Sequence, residues 1–328
     1  MVHHFSAGSP LALGEDFTPN CWVDMINPTD GEVETVSERT GIPEDMIKAA
    51  LDEEEMARSE FDEGCSLFVV DCPIIEEGEN GDTYSTLPLA IIYNKNCIAT
   101  VCLKGNPVLK DFITGRIKVK LDSPVNFILN FMLGNANRFL YCLKQIDRKS
   151  QRVQADLANK LKNDDILQLL ELENSLVYFS TSLNSNAKVH EKLAKAEGVL
   201  TNEEFQDLYD DLVIECNQAI EMCKIYKDTM SVSMDAYGSV ISNNANDSMK
   251  KLTIITILLA IPTMIAGFWG MNMPVPFDVS SGEKWGGWFF IVIAVALLVT
   301  AAAAIILLKS KKPIAKSKRA RKNNKKKK

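Results

Sequence analysis

Residues at steps of three and four run from position 246 to position 270: Asn246, Met249, Thr253, Thr256, Ala260, Thr263, Gly267 and Gly270. On a helix these steps fall on one stripe. The stripe gathers small and hydroxyl-bearing residues, while Ile254, Ile255, Leu258, Leu259, Ile261, Ile265 and Phe268 take the other faces. Threonine hydroxyls and backbone carbonyls at glycine are neutral oxygen donors, which suit a hard cation. Met249 and Leu252 would add apolar collars able to close a water path by dewetting. Such a stripe serves either close packing of helices or an aqueous path between them. Periodicity alone leaves both open.

The element that carries the stripe is long. Residues 252–271 hold no charge, about 20 residues, enough for a helix to cross a bilayer core. Pro262 lies inside this span, removes one backbone hydrogen bond and predicts a bend. Upstream, Thr201 and Glu204 form a capping-box pattern, and no proline intervenes before Pro262. A continuous helix of ~70 residues, or ~105 Å, is expected. Positions 201–251 then form a stalk and 252–272 a first membrane span. A polar connection at 273–284, with Asp278 and Glu283, leads to a second uncharged span at 285–308 that begins with Trp285 and Trp288. A basic tail follows at 309–328. The positive-inside rule puts that tail in the cytoplasm, and two spans put the N-terminal part there too.

Residues 1–122 read as a cytosolic α/β domain. Trp22–Ile26 is a short strand ended by the turn signal Asn27-Pro28-Thr29-Asp30-Gly31, and a helix opens at Pro43 and runs through Leu51. Runs 66–71, 87–93 and 97–103 are strands; 76–83 reads as an acidic loop and Asn94-Lys95-Asn96 as a hairpin turn. Residues 123–200 read as amphipathic cytosolic helices, roughly 125–162 and 166–197.

The net charge of −7 conceals an asymmetry: the tail from Lys309 holds 12 Lys and Arg with no acid, leaving 24 basic against 43 acidic residues before it, a net of −19. Such a body attracts cations and repels nucleic acid, and the tail suits anionic lipid. The eight cysteines make no CxxC pair, which argues against zinc and for buried thiols in a reduced compartment. No basic region followed by an apolar run marks a signal peptide at the N-terminus. His190, amid charges, reads as a surface residue. No phosphate-cradling loop, H-E-x-x-H or nucleophile motif is present, so no enzyme is expected and no cofactor.

Gly270-Met271-Asn272, preceded by Trp269, resembles the signature that closes the first of two C-terminal membrane helices in the CorA family of divalent-metal channels. Asn246, Met249, Leu252, Pro262, Thr263 and Gly267 are similar to that family's pore helix, and the NPT at 27–29 and the run at 87–101 to its cytosolic domain. The resemblance implies an α+β cytosolic domain, with a small sheet between helices, on a long stalk helix followed by two transmembrane helices. It implies a homopentamer carrying Mg²⁺, with Co²⁺ or Ni²⁺ also passing. Asn246, Met249, Leu252, Thr253, Thr256, Ala260, Thr263 and Gly267 then line the pore, and Gly270, Met271 and Asn272 form its entrance. A ring of Asn272 carbonyls would meet the water shell that Mg²⁺ gives up reluctantly. The resemblance also implies that cytosolic Mg²⁺ between subunit carboxylates holds the channel closed, with Asp211 and Asp52 as the matching positions. Ala260 departs from the bulky residue common there, and Pro274-Val275-Pro276 stands where the family often has an acid. Two alternatives are a zinc exporter of the ZntB type, which usually departs from the signature's methionine, and a two-span tether for a sensor or scaffold.

Overall fold

Strand β3 (Cys21–Ile26) is buried along nearly its whole length because both faces of its sheet are covered. Trp22 points into one core, and Cys21, Val23 and Met25 point into the other. A computed structural model describes residues 2–6, 12–13, 20–62, 64–78, 81–159, 163–195, 199, 201–269 and 287–309. The chain divides into two units, 1–234 and 235–328.

The first unit contains strands β1 (Val2–Ser6), β2 (Ala12–Leu13), β3, β4 (Arg58–Asp62), β5 (Cys65–Gly78), β6 (Gly81–Tyr93) and β7 (Cys97–Cys102). They form one seven-stranded sheet in the order β2-β1-β3-β7-β6-β5-β4. Among these strands only β3 and β7 pair in parallel; the others are antiparallel. Of these strands, β3, β5, β6 and β7 were expected from the sequence, and β1, β2 and β4 extend the sheet at its two ends. The 76–83 segment, expected as a loop, instead extends β5 to Gly78 and β6 from Gly81, with Glu76 opposite Thr83. Thr83 and Thr86 give this ribbon residues suited to strands, and local acidity did not override them.

One face carries α1 (Asp30–Thr40), α2 (Glu44–Lys48) and a 3₁₀ turn at Ala49–Leu51, through Val33, Val36, Ile42, Met46, Ile47 and Ala50. Helix α1 went unseen in the sequence because few of its residues are apolar. Its start was read as a turn, yet Thr29 makes a capping box: Glu32 N–H donates to the Thr29 hydroxyl and Thr29 N–H donates to the Glu32 carboxylate at 2.8 Å. Gly41, at φ +75°, ends the helix in the left-handed region.

The other face carries α3 (Pro107–Ile113), α4 (Pro124–Asn159) and α5 (Asn163–Ala194), through Phe112, Phe127, Phe131, Val189 and Leu193. Polar contacts fix their register. Strand β4 pairs with β5 only as far as Val69, so beyond it β5 lacks that neighbour. The Asn186 amide replaces it: Asp71 N–H donates to Asn186 Oδ1 at 2.9 Å, and Asn186 Nδ2 donates to the Asp71 carbonyl at 2.9 Å. Asn135 Nδ2 donates to the same carbonyl at 2.8 Å. Both asparagines are buried, and a strand edge inside the protein is thereby satisfied.

Two expectations change here. His190 is 6% exposed rather than a surface residue, because α5 turns it inward beside Val189 and Leu193; burial pushes its imidazole down to about 4. The long helix α6 (Glu203–Trp269) starts from Asn202 rather than Thr201: Asn202 Oδ1 accepts from Glu204 N–H at 2.9 Å.

Helix α6 has 67 residues and belongs to both units. In the first unit, Leu212, Cys216, Ala219, Cys223 and Met230 are buried along one stripe, and the Cys223 thiol donates to the α5 carbonyl of Leu176 at 3.3 Å. After Met230 no described side chain of α6 is buried. The second unit comprises the rest of α6 and α7 (Gly287–Lys309). The apolar stretches of both helices are long enough to cross a bilayer, and none of their described side chains is buried within the chain. A surface this apolar requires a cover that the single chain does not supply.

Candidate functional site

The helix is continuous through Pro262, so the stripe keeps its phase along the whole apolar stretch. At 100° per residue, Asn246, Met249, Leu252, Thr253, Thr256, Ala260, Thr263 and Gly267 lie within an arc of about 120°. All eight are exposed, Met249 and Leu252 to 67% and 66%. The three threonines share one geometry. The hydroxyls of Thr253, Thr256 and Thr263 donate to the carbonyls of Met249, Leu252 and Leu259, each at 2.9 Å. A hydroxyl that has given its proton to its own helix turns its lone pairs outward. The stripe therefore presents neutral acceptor oxygens at three levels. A Cβ at Gly267 would meet nothing within 4 Å, leaving the backbone open to close approach. Gly270, Met271 and Asn272, the expected entrance, lie outside the described residues.

The two carboxylates expected to regulate lie apart from this stripe in sequence. Asp211 is exposed on α6 and lines a cleft of about 470 Å³ with Lys118, Lys120, Asn126, Glu204 and Asp207. Lys120 is paired with Glu204 at 2.7 Å. Glu204, Asp207 and Asp211 share one face of the helix at i, i+3 and i+7, a spacing from which the sequence could have assembled this acidic face. Lys118 and Lys120, on the segment between α3 and α4, could not have been found that way. Asp52 is exposed just after the 3₁₀ turn, and its Oδ1 accepts from Glu54 N–H at 3.0 Å, which holds the carboxylate in a local turn. Among the described residues no group of three or more His, Cys, Asp or Glu is placed to hold a metal ion within one chain.

A sequence model of the CorA-like Mg²⁺ transporter proteins matches residues 19–312, nearly the whole chain. The chain belongs to the CorA-like Mg²⁺ transporter family. Two cobalt/magnesium transport proteins CorA are similar to it. That of Methanocaldococcus jannaschii is 27% identical over 256 residues, covering 76% of this chain and 79% of the relative. That of Thermotoga maritima is 24% identical over 275 residues, covering 80% and 76%. The complete structure of the M. jannaschii CorA magnesium transporter matches the fold with a TM-score of 0.76 at 22% identity, covering 94% of this chain and 96% of that one. The CorA-like architecture of sheet domain, long helix and apolar C-terminal helix is thus the fold of this chain, and the family is one of membrane transporters.

Proposed function

We propose that this protein is a Mg²⁺ uptake channel of the CorA type that also passes Co²⁺ or Ni²⁺ and is gated by cytosolic Mg²⁺. The observation that carries the reading is the stripe on α6, where three threonine hydroxyls bond to their own helix and offer lone pairs on a face that the single chain leaves uncovered. One helix cannot enclose a path, so copies of the chain surround it with cyclic symmetry, and the family resemblance makes the number five. Neutral oxygens recognise the cation with its water shell in place, which suits Mg²⁺ because its dehydration is costly. Asn272 forms the entrance ring on the outer side; Met249 and Leu252 form apolar collars toward the cytoplasm, and both termini are cytoplasmic. The basic tail touches anionic lipid headgroups.

Gating follows from charge. Subunits around an axis bring acids such as Asp211 and Asp52 near those of a neighbour. Mg²⁺ between them converts repulsion into attraction and favours the closed ring, and its loss frees the helices to move the collars off the axis.

The test is Mg²⁺ uptake by a Mg²⁺-starved host expressing the chain, beside Asn272→Ala. The parent is expected to restore uptake, and the variant to insert and assemble without transporting. Full uptake by Asn272→Ala removes the entrance ring from the mechanism. No uptake by the parent leaves the tether, and export of Zn²⁺ in its place leaves the exporter.

A further inference from the structure

Strands β3 and β7 run parallel and side by side, and the chain leaves them on opposite faces of the sheet. β3 leads into α1, which covers one core, and β7 leads into α3, which covers the other. Adjacent parallel strands that part in this way leave a crevice beyond their carboxyl ends, where open α/β sheets bind small molecules. Such a crevice is present: a cavity of about 480 Å³ is lined by residues of β1, β3, α3 and the turn before α3. Its walls belong to a single face of the sheet. Ile26, Leu109 and Ile113 are part of the core beneath α3 or pack against it. Asp24 and His3, opposite each other in the β1–β3 ladder, point the same way as Trp22 two residues before.

Asp24 is the unusual group in this cavity. It is 2% exposed, and its Oδ1 accepts from the Thr100 hydroxyl at 2.8 Å. The Thr100 oxygen in turn accepts from the Trp22 indole N–H at 2.9 Å, so its one proton is committed to Asp24. Oδ1 is thereby held as an acceptor, and Oδ2 is the oxygen left for a further donor. Among the described residues no Lys, Arg or His forms an ion pair with this carboxylate. Burial pushes its carboxyl up, with the Thr100 hydrogen bond and His3 opposing.

We infer that this cavity is a binding site for a small aliphatic ammonium compound, its ammonium group on Asp24 Oδ2 and its hydrocarbon body against Ile26, Leu109 and Ile113. A buried carboxylate is stable as an ion only with a cation and hydrogen bonds around it, and such a ligand supplies both. The volume lies within the range of about 300–1,000 Å³ that organic small molecules occupy. An inorganic cation fits poorly, because it needs several donor atoms and the aliphatic walls offer none. Among the described residues no three His, Cys, Asp or Glu gather at one point, and Asn106 Oδ1 already accepts from Val108 N–H at 2.8 Å. The site uses no residue of the stripe on α6.

Free monoamines and amino acids share the aliphatic ammonium group, and Lys110 separates these two sources. It stands exposed at the cavity, where a carboxylate on the ligand would meet its ammonium.

The test is equilibrium dialysis of the full chain in detergent against labelled isopentylamine and labelled leucine. Saturable binding of at least one probe is expected. Asp24→Asn, which keeps an acceptor for Thr100, should weaken it by about tenfold or more, the loss of a charge-assisted hydrogen bond. Isocaproate, which has the same branched body without the ammonium, should not compete. Leucine binding that is lost in Lys110→Ala identifies an amino acid as the ligand; isopentylamine binding that Lys110→Ala leaves intact identifies a monoamine. No saturable binding of either probe to the parent overturns the inference. So does undiminished affinity in Asp24→Asn, or competition by isocaproate as strong as by the probe itself, since either reduces the cavity to an apolar hollow. The competition uses the parent alone, so poor folding of Asp24→Asn does not obscure the result.

Discussion

Thr263 donates its hydroxyl proton to the carbonyl of Leu259 at 2.9 Å, one turn earlier on the same helix. The bond fixes the hydroxyl oxygen with its lone pairs directed away from the helix, and Thr253 and Thr256 repeat it. If these oxygens face water, Thr256→Cys and Thr263→Cys in a cysteine-free background react with small aqueous thiol reagents during transport. Leu258→Cys and Ile261→Cys, on the other side of the helix, stay unlabelled. Labelling rates separated by about tenfold or more are expected, since the lipid-facing thiol is shielded in its protonated form. Equal rates on both faces mean that this helix lines no path.

Asp211 shares its cleft with Asp207, and Lys120 there is occupied by Glu204. Replacing Asp211 with Asn removes charge without changing size, which weakens any Mg²⁺ bridge to a neighbouring subunit. Flux at internal Mg²⁺ that silences the parent is expected to rise several-fold, with Asp52→Asn acting in the same direction. A parent whose flux ignores internal Mg²⁺ ends the gating reading whatever the variants do.

His190 makes stability depend on pH in a definite direction. Its folded value of about 4 lies below the ordinary 6.5, because burial disfavours the imidazolium. The contribution is therefore fully present above 6.5 and is lost as pH falls from 6.5 toward 4, by up to about 3 kcal/mol. Buried Asp24 and Asp71 are shifted upward, so they act oppositely over the acid range. The difference between parent and His190→Leu isolates the histidine. Thermal midpoints at pH 7 and pH 4.5 should fall less in the variant; an equal fall in both places the acid sensitivity elsewhere.

Gly134 on α4 lies directly against Val108 on α3. A Cβ on it would stand 2.6 Å from Val108 Cγ1, and Val108 is buried and β-branched, with little freedom to move aside. Gly134→Ala should destabilise by roughly 1–2 kcal/mol, the cost of overpacking less the gain in helix propensity. Val108→Ala opens space for the methyl, so the double variant should lose less than the two singles together. Additive losses in denaturant titrations would mean that the helices already adjust.

Local pattern was enough for some features of this protein. Uncharged length marks both apolar helices, and the 3-and-4 spacing puts Thr253, Thr256 and Thr263 on one stripe, because helical phase is a local property that 67 residues preserve. The hairpin of β6 and β7 was legible from its runs and its turn for the same reason. Tertiary structure decided what depends on distant partners. Nothing near His190 in sequence indicates burial; packing of α5 on the sheet imposes it. Helix α1 is held by its cap and three buried residues rather than by a strong apolar pattern. The Asp71 edge is closed by asparagines 64 and 115 residues away, and Lys118 and Lys120 meet Asp211 across a similar span of chain. Asp24 and Thr100 are adjacent because β3 and β7 pair in parallel, and that register is set by burying both faces of a sheet at once, which no short stretch of sequence specifies.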